Sequence, residues 1–206
     1  RELAQQGVTI GNHTRKHPHL LNQTPEQAVD EILKAGHRFQ TELGQTPDIF
    51  AYPFGEAGLS LIQAVRGAGF RAAFGRHSGV LHPGADPFYL PRFALNERYG
   101  MMKRFRLAVN TLPLVIHRLE PIDPFLFDGN PPLIRFEVDE LMGSMERLNC
   151  FSSSPERPEI KVVGRRVEIY HSRRFAPGRT RLNCTMAERE GRWRWFGTQF
   201  YVPSKK

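Results

Sequence analysis

Residues 7–17 read Gly-Val-Thr-Ile-Gly-Asn-His-Thr-Arg-Lys-His, and this stretch decides the interpretation of the chain. Residues 1–7, which lead into this stretch, are typical of the last turns of a helix that ends at a glycine cap, here Gly7. Val8-Thr9-Ile10 is a short apolar run that predicts a buried strand entering a polar turn. His13 and His17 are four residues apart, so a helical turn would place both imidazoles on one face, where they could bind one metal ion.

The next sixty residues alternate helix and strand signals. Thr24-Pro25-Glu26-Gln27 predicts a capping box at the start of a helix that ends at Gly44. A strand at Ile49–Tyr52, a helix over residues 59–68 and a strand at Phe70–Phe74 follow. Strands and helices that alternate over short loops indicate an α/β fold with a parallel sheet or barrel. The histidine pair would then lie at the carboxyl edge of that sheet, where active sites collect.

Beyond residue 75 the pattern changes twice. The sequence predicts a strand at Tyr89–Leu95 and a helix from Arg98 to about Asn110. Prolines 113, 121, 124, 131 and 132 then cluster around Asp128-Gly129-Asn130, which is typical of a linker. We therefore expect one domain over residues 1–119 and a second over residues 120–206.

The second domain shows the two-residue period of strands. Apolar and polar residues alternate in 134–138, 159–163 and 167–170, and Gly164-Arg165 predicts a hairpin turn. An aromatic-rich run follows at 193–202. Short strands separated by turns indicate a small antiparallel β-sandwich.

The chain has two cysteines, Cys150 and Cys184, each at the end of an Arg-Leu-Asn-Cys tetrapeptide. Equivalent positions on paired strands would bring the sulfur atoms together. The sequence leaves open whether they form a disulfide or stay two buried thiols.

Composition limits the classes of function. The formal charge of +8 is spread evenly, with +4 in residues 1–110 and +4 in residues 111–206. No basic block interleaved with aromatic residues is present, so we expect no nucleic-acid partner. No apolar run of about 18 residues predicts a transmembrane helix. The oligomeric state is not predicted.

Two segments together resemble one family. Gly-Asn-His-Thr-x-x-His at 11–17, with Pro18, His19 and Leu20 behind it, is similar to the histidine motif of the polysaccharide deacetylases, the NodB-like carbohydrate esterases of family four. Phe50-Ala51-Tyr52-Pro53-Phe54-Gly55 resembles the segment that follows the family's next strand. The resemblance covers residues 1 to about 97 and implies a distorted (β/α) barrel.

The resemblance implies a metal site and a substrate groove. His13 and His17 would bind a divalent cation, most often zinc, together with an aspartate, and the Thr14 hydroxyl would brace the loop. The backbone N–H of Phe54 would donate to the oxyanion, and Tyr52, Pro53 and Gly55 would line the groove. Such a cation lowers the pKa of its water and polarises the substrate carbonyl.

One part of the family pattern is missing. The family carries an Asp-Asp pair on its first strand, one residue the base and the other the third metal ligand, and no Asp-Asp dipeptide occurs in this sequence. There is no initiator Met either, so we expect the natural protein to continue upstream of Arg1. The 206 residues alone would then bind metal weakly and be inactive.

Several other residues have two interpretations. Arg92 would orient the catalytic aspartate or would be a surface arginine. The general acid expected in the family has His117 as its nearest match, with His77 and His82 as alternatives. Glu56 would contact sugar hydroxyls or cap the following helix. The aromatic run would supply a sugar-stacking platform from Trp193 and Trp195, or part of the core.

The sequence thus predicts a hydrolase that removes N-acetyl groups from an amino-sugar polysaccharide or glycolipid. The alternative is a carbohydrate-binding or scaffolding protein that keeps the deacetylase shell without catalysis. A bacterial cell-envelope or secreted location is favoured over a cytoplasmic one.

Overall fold

The computed structural model describes residues 1–97, 99–127 and 133–204, which form two compact units. The first contains residues 1–75 and 85–90, and the second contains residues 76–84 and the described residues from 91 onward. The boundary predicted between residues 119 and 120 lies inside the second unit, within the strand Ile116–Glu120. The division of the chain into those two domains stays a prediction.

The first unit is a mixed α/β structure. Its helices and strands, in chain order, are α1 (Glu2–Gln5), α2 (Pro25–Leu43), β1 (Ile49–Ala51), α3 (Leu59–Gly67) and β2 (Ala72–Phe74). Two short 3₁₀ turns lie at Leu20–Asn22 and Pro53–Gly55. Gly7, after α1, has the left-handed backbone (φ 82°) expected of a glycine cap.

β1 and β2 are parallel neighbours, and one further residue pairs on each side of them. Asn12 bridges to Phe50 and Leu90 bridges to Phe74, both in parallel. These rows form a small parallel sheet. The predicted strand at Val8-Thr9-Ile10 is wrong, because no described residue pairs with it and Val8 is 47% exposed.

The predicted strand at Tyr89–Leu95 is also wrong, because among these residues Leu90 alone forms a β-bridge. Leu90 exchanges hydrogen bonds with Ala73 and Gly75, and the next residue is Pro91, whose nitrogen has no hydrogen to donate to a ladder.

α2 is confirmed as predicted. The Thr24 hydroxyl accepts from the Gln27 backbone N–H, the Gln27 side chain accepts from the Thr24 backbone, and Gly44 ends the helix with φ 72°. The buried face of α2 packs with α3 on the sheet. The core cluster of this unit includes Leu20, Ile32, Phe50, Tyr52, Val65 and Phe88.

The second unit contains α4 and eight strands. Their bounds are α4 (Met102–Asn110), β3 (Leu112–Pro113), β4 (Ile116–Glu120), β5 (Ile134–Val138), β6 (Leu148–Ser152), β7 (Glu159–Val163), β8 (Arg166–Tyr170), β9 (Gly178–Ala187) and β10 (Trp193–Val202). The hairpin predicted at Gly164-Arg165 is confirmed between β7 and β8. Arg98 at the predicted helix start, the Asp128-Gly129-Asn130 signal and Pro131-Pro132 lie outside the described residues.

The strands form two four-stranded sheets, in the orders β3-β10-β9-β6 and β4-β5-β8-β7. All pairings are antiparallel except β3 with β10. One apolar cluster draws on both sheets, with Phe136, Val167 and Ile169 from one and Leu182, Met186 and Phe200 from the other. Two sheets that share one core are the arrangement of a β-sandwich.

Cys150 on β6 and Cys184 on β9 are directly opposite each other in the strand register. A disulfide joins them, so the repeated Arg-Leu-Asn-Cys tetrapeptides do occupy equivalent positions on paired strands. The bridge closes a loop of 34 residues within the second unit.

α2 is the longest helix of the structure. Neither it nor any other helix among the described residues combines the length and the apolar composition needed to cross a bilayer.

Candidate functional site

Two loops of the first unit begin where parallel strands end. Residues 13–19 follow the bridge at Asn12, and Tyr52–Gly55 follow β1. Because Asn12 pairs beside β1, the loops leave the same edge of the sheet and meet there. This placement is the one that the sequence predicted for the histidine pair.

Asn12 fixes the start of the histidine loop. Its side chain is 1% exposed, its Nδ2 donates to the Ile32 carbonyl (3.0 Å), and its Oδ1 accepts from the Thr14 backbone N–H (2.9 Å). A buried amide satisfied on both sides holds the backbone of the loop against α2. No role was predicted for Asn12, although asparagine side chains commonly accept from the backbone N–H two residues on.

The histidine rings meet, but not on a helical turn. His13 and His17 have ring centroids 4.7 Å apart, in an edge-to-face arrangement. Residues 13–17 are not helical, and Thr14 and His17 have left-handed backbones with φ 64° and 56°. The predicted helical turn is therefore wrong. The Thr14 hydroxyl accepts from the His17 N–H at 3.1 Å, which is the brace that the resemblance implied.

The hydrogen bond of His13 defines its chemistry. Its Nδ1 lies 2.6 Å from the Ala51 carbonyl oxygen. A carbonyl can only accept, so Nδ1 carries the hydrogen, and in the neutral ring Nε2 carries the lone pair. This is the tautomer in which histidines ligate metal ions through Nε2, with the other nitrogen oriented by a backbone carbonyl.

Phe54 connects the two loops. Its ring stacks on His19, with centroids 4.0 Å apart and planes 7° apart, and meets the edge of His17 at 4.4 Å. Its backbone is left-handed (φ 58°), which costs free energy for a non-glycine residue and is typical of functional loops. Phe54 therefore orients the second histidine of the pair.

Glu56 and His19 form a further contact that sequence reasoning missed. Glu56 Oε2 lies 2.8 Å from His19 Nδ1, and Glu56 is 2% exposed. The N-cap of α3 is Gly58, which has no side-chain cap, so the interpretation of Glu56 as a helix cap is wrong. The two residues are 37 positions apart, and no local pattern in the sequence relates them.

The predicted groove residues Tyr52, Pro53 and Gly55 are all buried. The Tyr52 hydroxyl donates to the Phe88 carbonyl at 2.8 Å, and burial raises the pKa of this phenol above its usual range. Tyr52 is thus a core residue that supports the loop from beneath. Substrate binding by residues 52–55 stays a prediction. Because the Tyr52 side chain is buried, Tyr52 would contact a substrate through its backbone.

The remaining predicted residues lie in the second unit. Arg92 donates its backbone N–H to the His77 carbonyl, and burial, followed by the neighbouring Arg76, lowers its pKa. His77 is 5% exposed, and burial lowers its pKa to about 4. His117 is exposed and pairs with Asp139 at 2.8 Å. Their predicted roles in catalysis stay predictions.

No group of three or more His, Cys, Asp or Glu side chains is arranged to hold a metal ion within residues 1–97, 99–127 and 133–204. The histidine loop brings the imidazoles of His13 and His17 together, and the imidazole of His19 contacts Glu56. Two imidazoles fit zinc and several other divalent ions and need a further ligand to complete a site.

Part of the chain is similar to known proteins. A model of the polysaccharide deacetylase family matches residues 1–73. A bifunctional xylanase/xylan deacetylase of Cellvibrio japonicus is 31% identical over 72 residues, which are 34% of this chain and 11% of that protein.

Two solved structures are also similar to the chain. The deacetylase PplD of Streptococcus pyogenes, in complex with acetate, has 19% identity and a TM-score of 0.48, and the match covers 52% of this chain and 47% of that one. IcaB from Ammonifex degensii has 22% identity and a TM-score of 0.43, with 47% and 46% covered. The chain thus spans less than half the length of each relative. The matched residues 1–73 carry both the histidine loop and the Phe54 segment.

Proposed function

We propose that the first unit is part of a metal-dependent hydrolase that removes N-acetyl groups from an amino-sugar polysaccharide or glycolipid. The observation that supports it best is the histidine pair, with ring centroids 4.7 Å apart and His13 held by Ala51 in the tautomer that ligates metal. The match of residues 1–73 to the polysaccharide deacetylase model supports the reaction class.

His13 and His17 are the two proposed ligands of the metal, and zinc is the ion we favour. When bound, the cation supplies a water of lowered pKa and a polarised carbonyl. The contribution of the chain itself is orientation. Ala51 fixes the ring of His13, Thr14 fixes the backbone of His17, and Phe54 packs against the ring of His17.

The backbone N–H of Phe54 is the proposed donor to the oxyanion of the tetrahedral intermediate. A backbone donor on a strained, left-handed residue is held by the chain and cannot rotate away as a side chain can. The left-handed backbone at Phe54 and Gly55 turns this segment toward the histidine loop.

We propose that carboxylates supply the third metal ligand and the general base. No three-ligand cluster is present among the described residues, and the sequence has no Asp-Asp dipeptide. We therefore propose that the 206 residues alone are inactive, and that the small parallel sheet is part of a distorted barrel.

The alternative is a carbohydrate-binding shell without catalysis, and the same missing carboxylate favours it. Acetate release separates the two. The natural full-length protein would be incubated with N-acetylglucosamine pentamer and zinc, beside its His13→Ala and His17→Ala variants. Loss of a direct metal ligand should reduce the rate in each variant by more than the roughly 10- to 100-fold that loss of an outer-shell partner costs.

His37→Ala is the matched control, because His37 is exposed on α2, away from the loop. It should release acetate at the wild-type rate. Equal rates in all four proteins would refute the histidine site, and glycan binding without acetate release in the wild type would establish the alternative.

A further inference from the structure

An open groove of about 960 Å³ lies in the second unit, between α4 and the face of the β6-β9-β10 sheet that points away from the core. In the strand register, Trp193 and Trp195 alternate with the core residues Phe196 and Phe200, so the indoles belong to the outer face. The groove shares no lining residue with the histidine loop. Its proposed function does not depend on the proposed deacetylation.

The groove has an aromatic floor. Trp195 is half-buried, its Nε1 donates to Asn183 Oδ1 at 3.0 Å, and its ring meets the edge of Phe151. Trp193 and Phe151 are 37% and 46% exposed. Because the polar nitrogen of Trp195 is already satisfied, the floor offers flat apolar rings, on which the C–H face of a sugar can stack.

The walls carry positive charge. Lys103, Arg104 and Arg106 project from α4, Arg192 lies on the opposite side, and Glu190 is the one carboxylate of the lining. Neither Lys103 nor the two arginines of α4 pairs with a carboxylate among the described residues. The Nε of Arg104 is buried and has no acceptor there. Unpaired cations beside a groove favour an anionic ligand.

Arg192 is positioned by the protein. Its Nε donates to the Asn110 carbonyl at the end of α4 (3.0 Å), which ties the helix to the turn before β10. The remaining guanidinium donors keep a planar fork that suits a carboxylate.

We propose that this groove binds an acidic saccharide, a glycan chain whose rings carry carboxylate groups. Stacking on Trp193 and Trp195 accounts for the sugar, and pairing with Arg106 and its neighbouring cations accounts for the charge. A concave surface fits a chain better than a flat membrane. The site would hold the protein on an acidic glycan.

The test measures binding of hexagalacturonate to the whole protein by titration calorimetry at low salt. Arg106→Gln and Trp193→Ala should each weaken binding about tenfold, and Trp193→Phe should restore most of the affinity because a ring remains. Arg174→Gln, an exposed arginine outside the groove, and Phe127→Ala, an aromatic residue 73% exposed, should leave binding unchanged.

Three further probes define the ligand class. Methyl-esterified hexagalacturonate tests the charge, hexaglutamate tests the sugar, and phosphatidylglycerol vesicles test a membrane surface. The proposal requires that the acidic saccharide bind at least about tenfold more tightly than the ester and the peptide. Equal binding of either, preferential binding to vesicles, or no binding of hexagalacturonate would overturn it. Equal thermal midpoints for Arg106→Gln and the wild type show that the variant is folded.

Discussion

The histidine loop, residues 12–19, and the β6-β9-β10 sheet are held by different kinds of contact. The loop depends on single side-chain bonds to backbone, such as those of Asn12, and on left-handed residues. The sheet depends on ten paired positions between β9 and β10, on a shared apolar core and on a disulfide. We therefore expect the second region to contribute more to stability, whereas the proposed chemistry lies in the first.

The largest effect should come from the disulfide of the second unit. Replacing Cys150 and Cys184 by alanine opens a loop of 34 residues, and the chain-entropy estimate for such a loop is a loss of about 4 kcal/mol of unfolding free energy. Urea unfolding followed by the fluorescence of Trp193 and Trp195 measures it.

Both cysteines lie in the second unit, so α2 in the first unit is an internal control. Hydrogen exchange of α2 amides should not change in the double variant. Equal loss of protection from exchange in both units would contradict the expectation that the disulfide stabilises the second unit alone.

A pH effect of somewhat smaller size should come from His77, also in the second unit. Burial lowers its pKa to about 4 from the ordinary value of 6.5, so the folded protein resists protonation that the unfolded chain accepts. Its contribution to stability is complete above about pH 6.5 and is lost as the pH falls toward 4. The difference corresponds to roughly 3 kcal/mol.

Urea unfolding at pH 7 and pH 4.5 checks the effect of His77. His77→Gln should remove this part of the pH dependence, whereas His37→Ala, on the exposed face of α2, should keep it. The same pH dependence of stability in wild type and His77→Gln would show that folding does not lower the pKa of this imidazole.

The smallest of the three effects should come from the histidine loop. Asn12→Ala leaves the Ile32 carbonyl and the Thr14 N–H without their partner, at a cost of about 2 kcal/mol. Asn183→Ala, which removes only the acceptor of the Trp195 indole, is the matched change in the sheet and should cost about half as much. Thermal unfolding of both variants gives the comparison, and a larger cost for Asn183→Ala would contradict it.

The two regions also differ in how far the sequence predicted them. The capping box at Thr24, the hairpin at Gly164 and the aromatic strand at Trp193–Val202 follow local patterns, and all three are present. Each depends on residues close in sequence. The sequence thus predicted α2 of the first unit and four of the eight described strands of the second, β5, β7, β8 and β10.

The loop of the first unit was predicted less well because its geometry depends on distant partners. The Asn12 contact to Ile32 spans 20 positions, and the His19 contact to Glu56 spans 37. The positive φ at Thr14 and His17 replaced the predicted helical turn. The motif predicted which histidines meet, and the structure shows how they are held.

The central claim is that His13 and His17 bind one metal ion together, and zinc K-edge X-ray absorption on the natural full-length protein tests it most directly. We expect two imidazole ligands per zinc in the wild type and one in each of His13→Ala and His17→Ala. An unchanged number of imidazole ligands in both variants would contradict the claim.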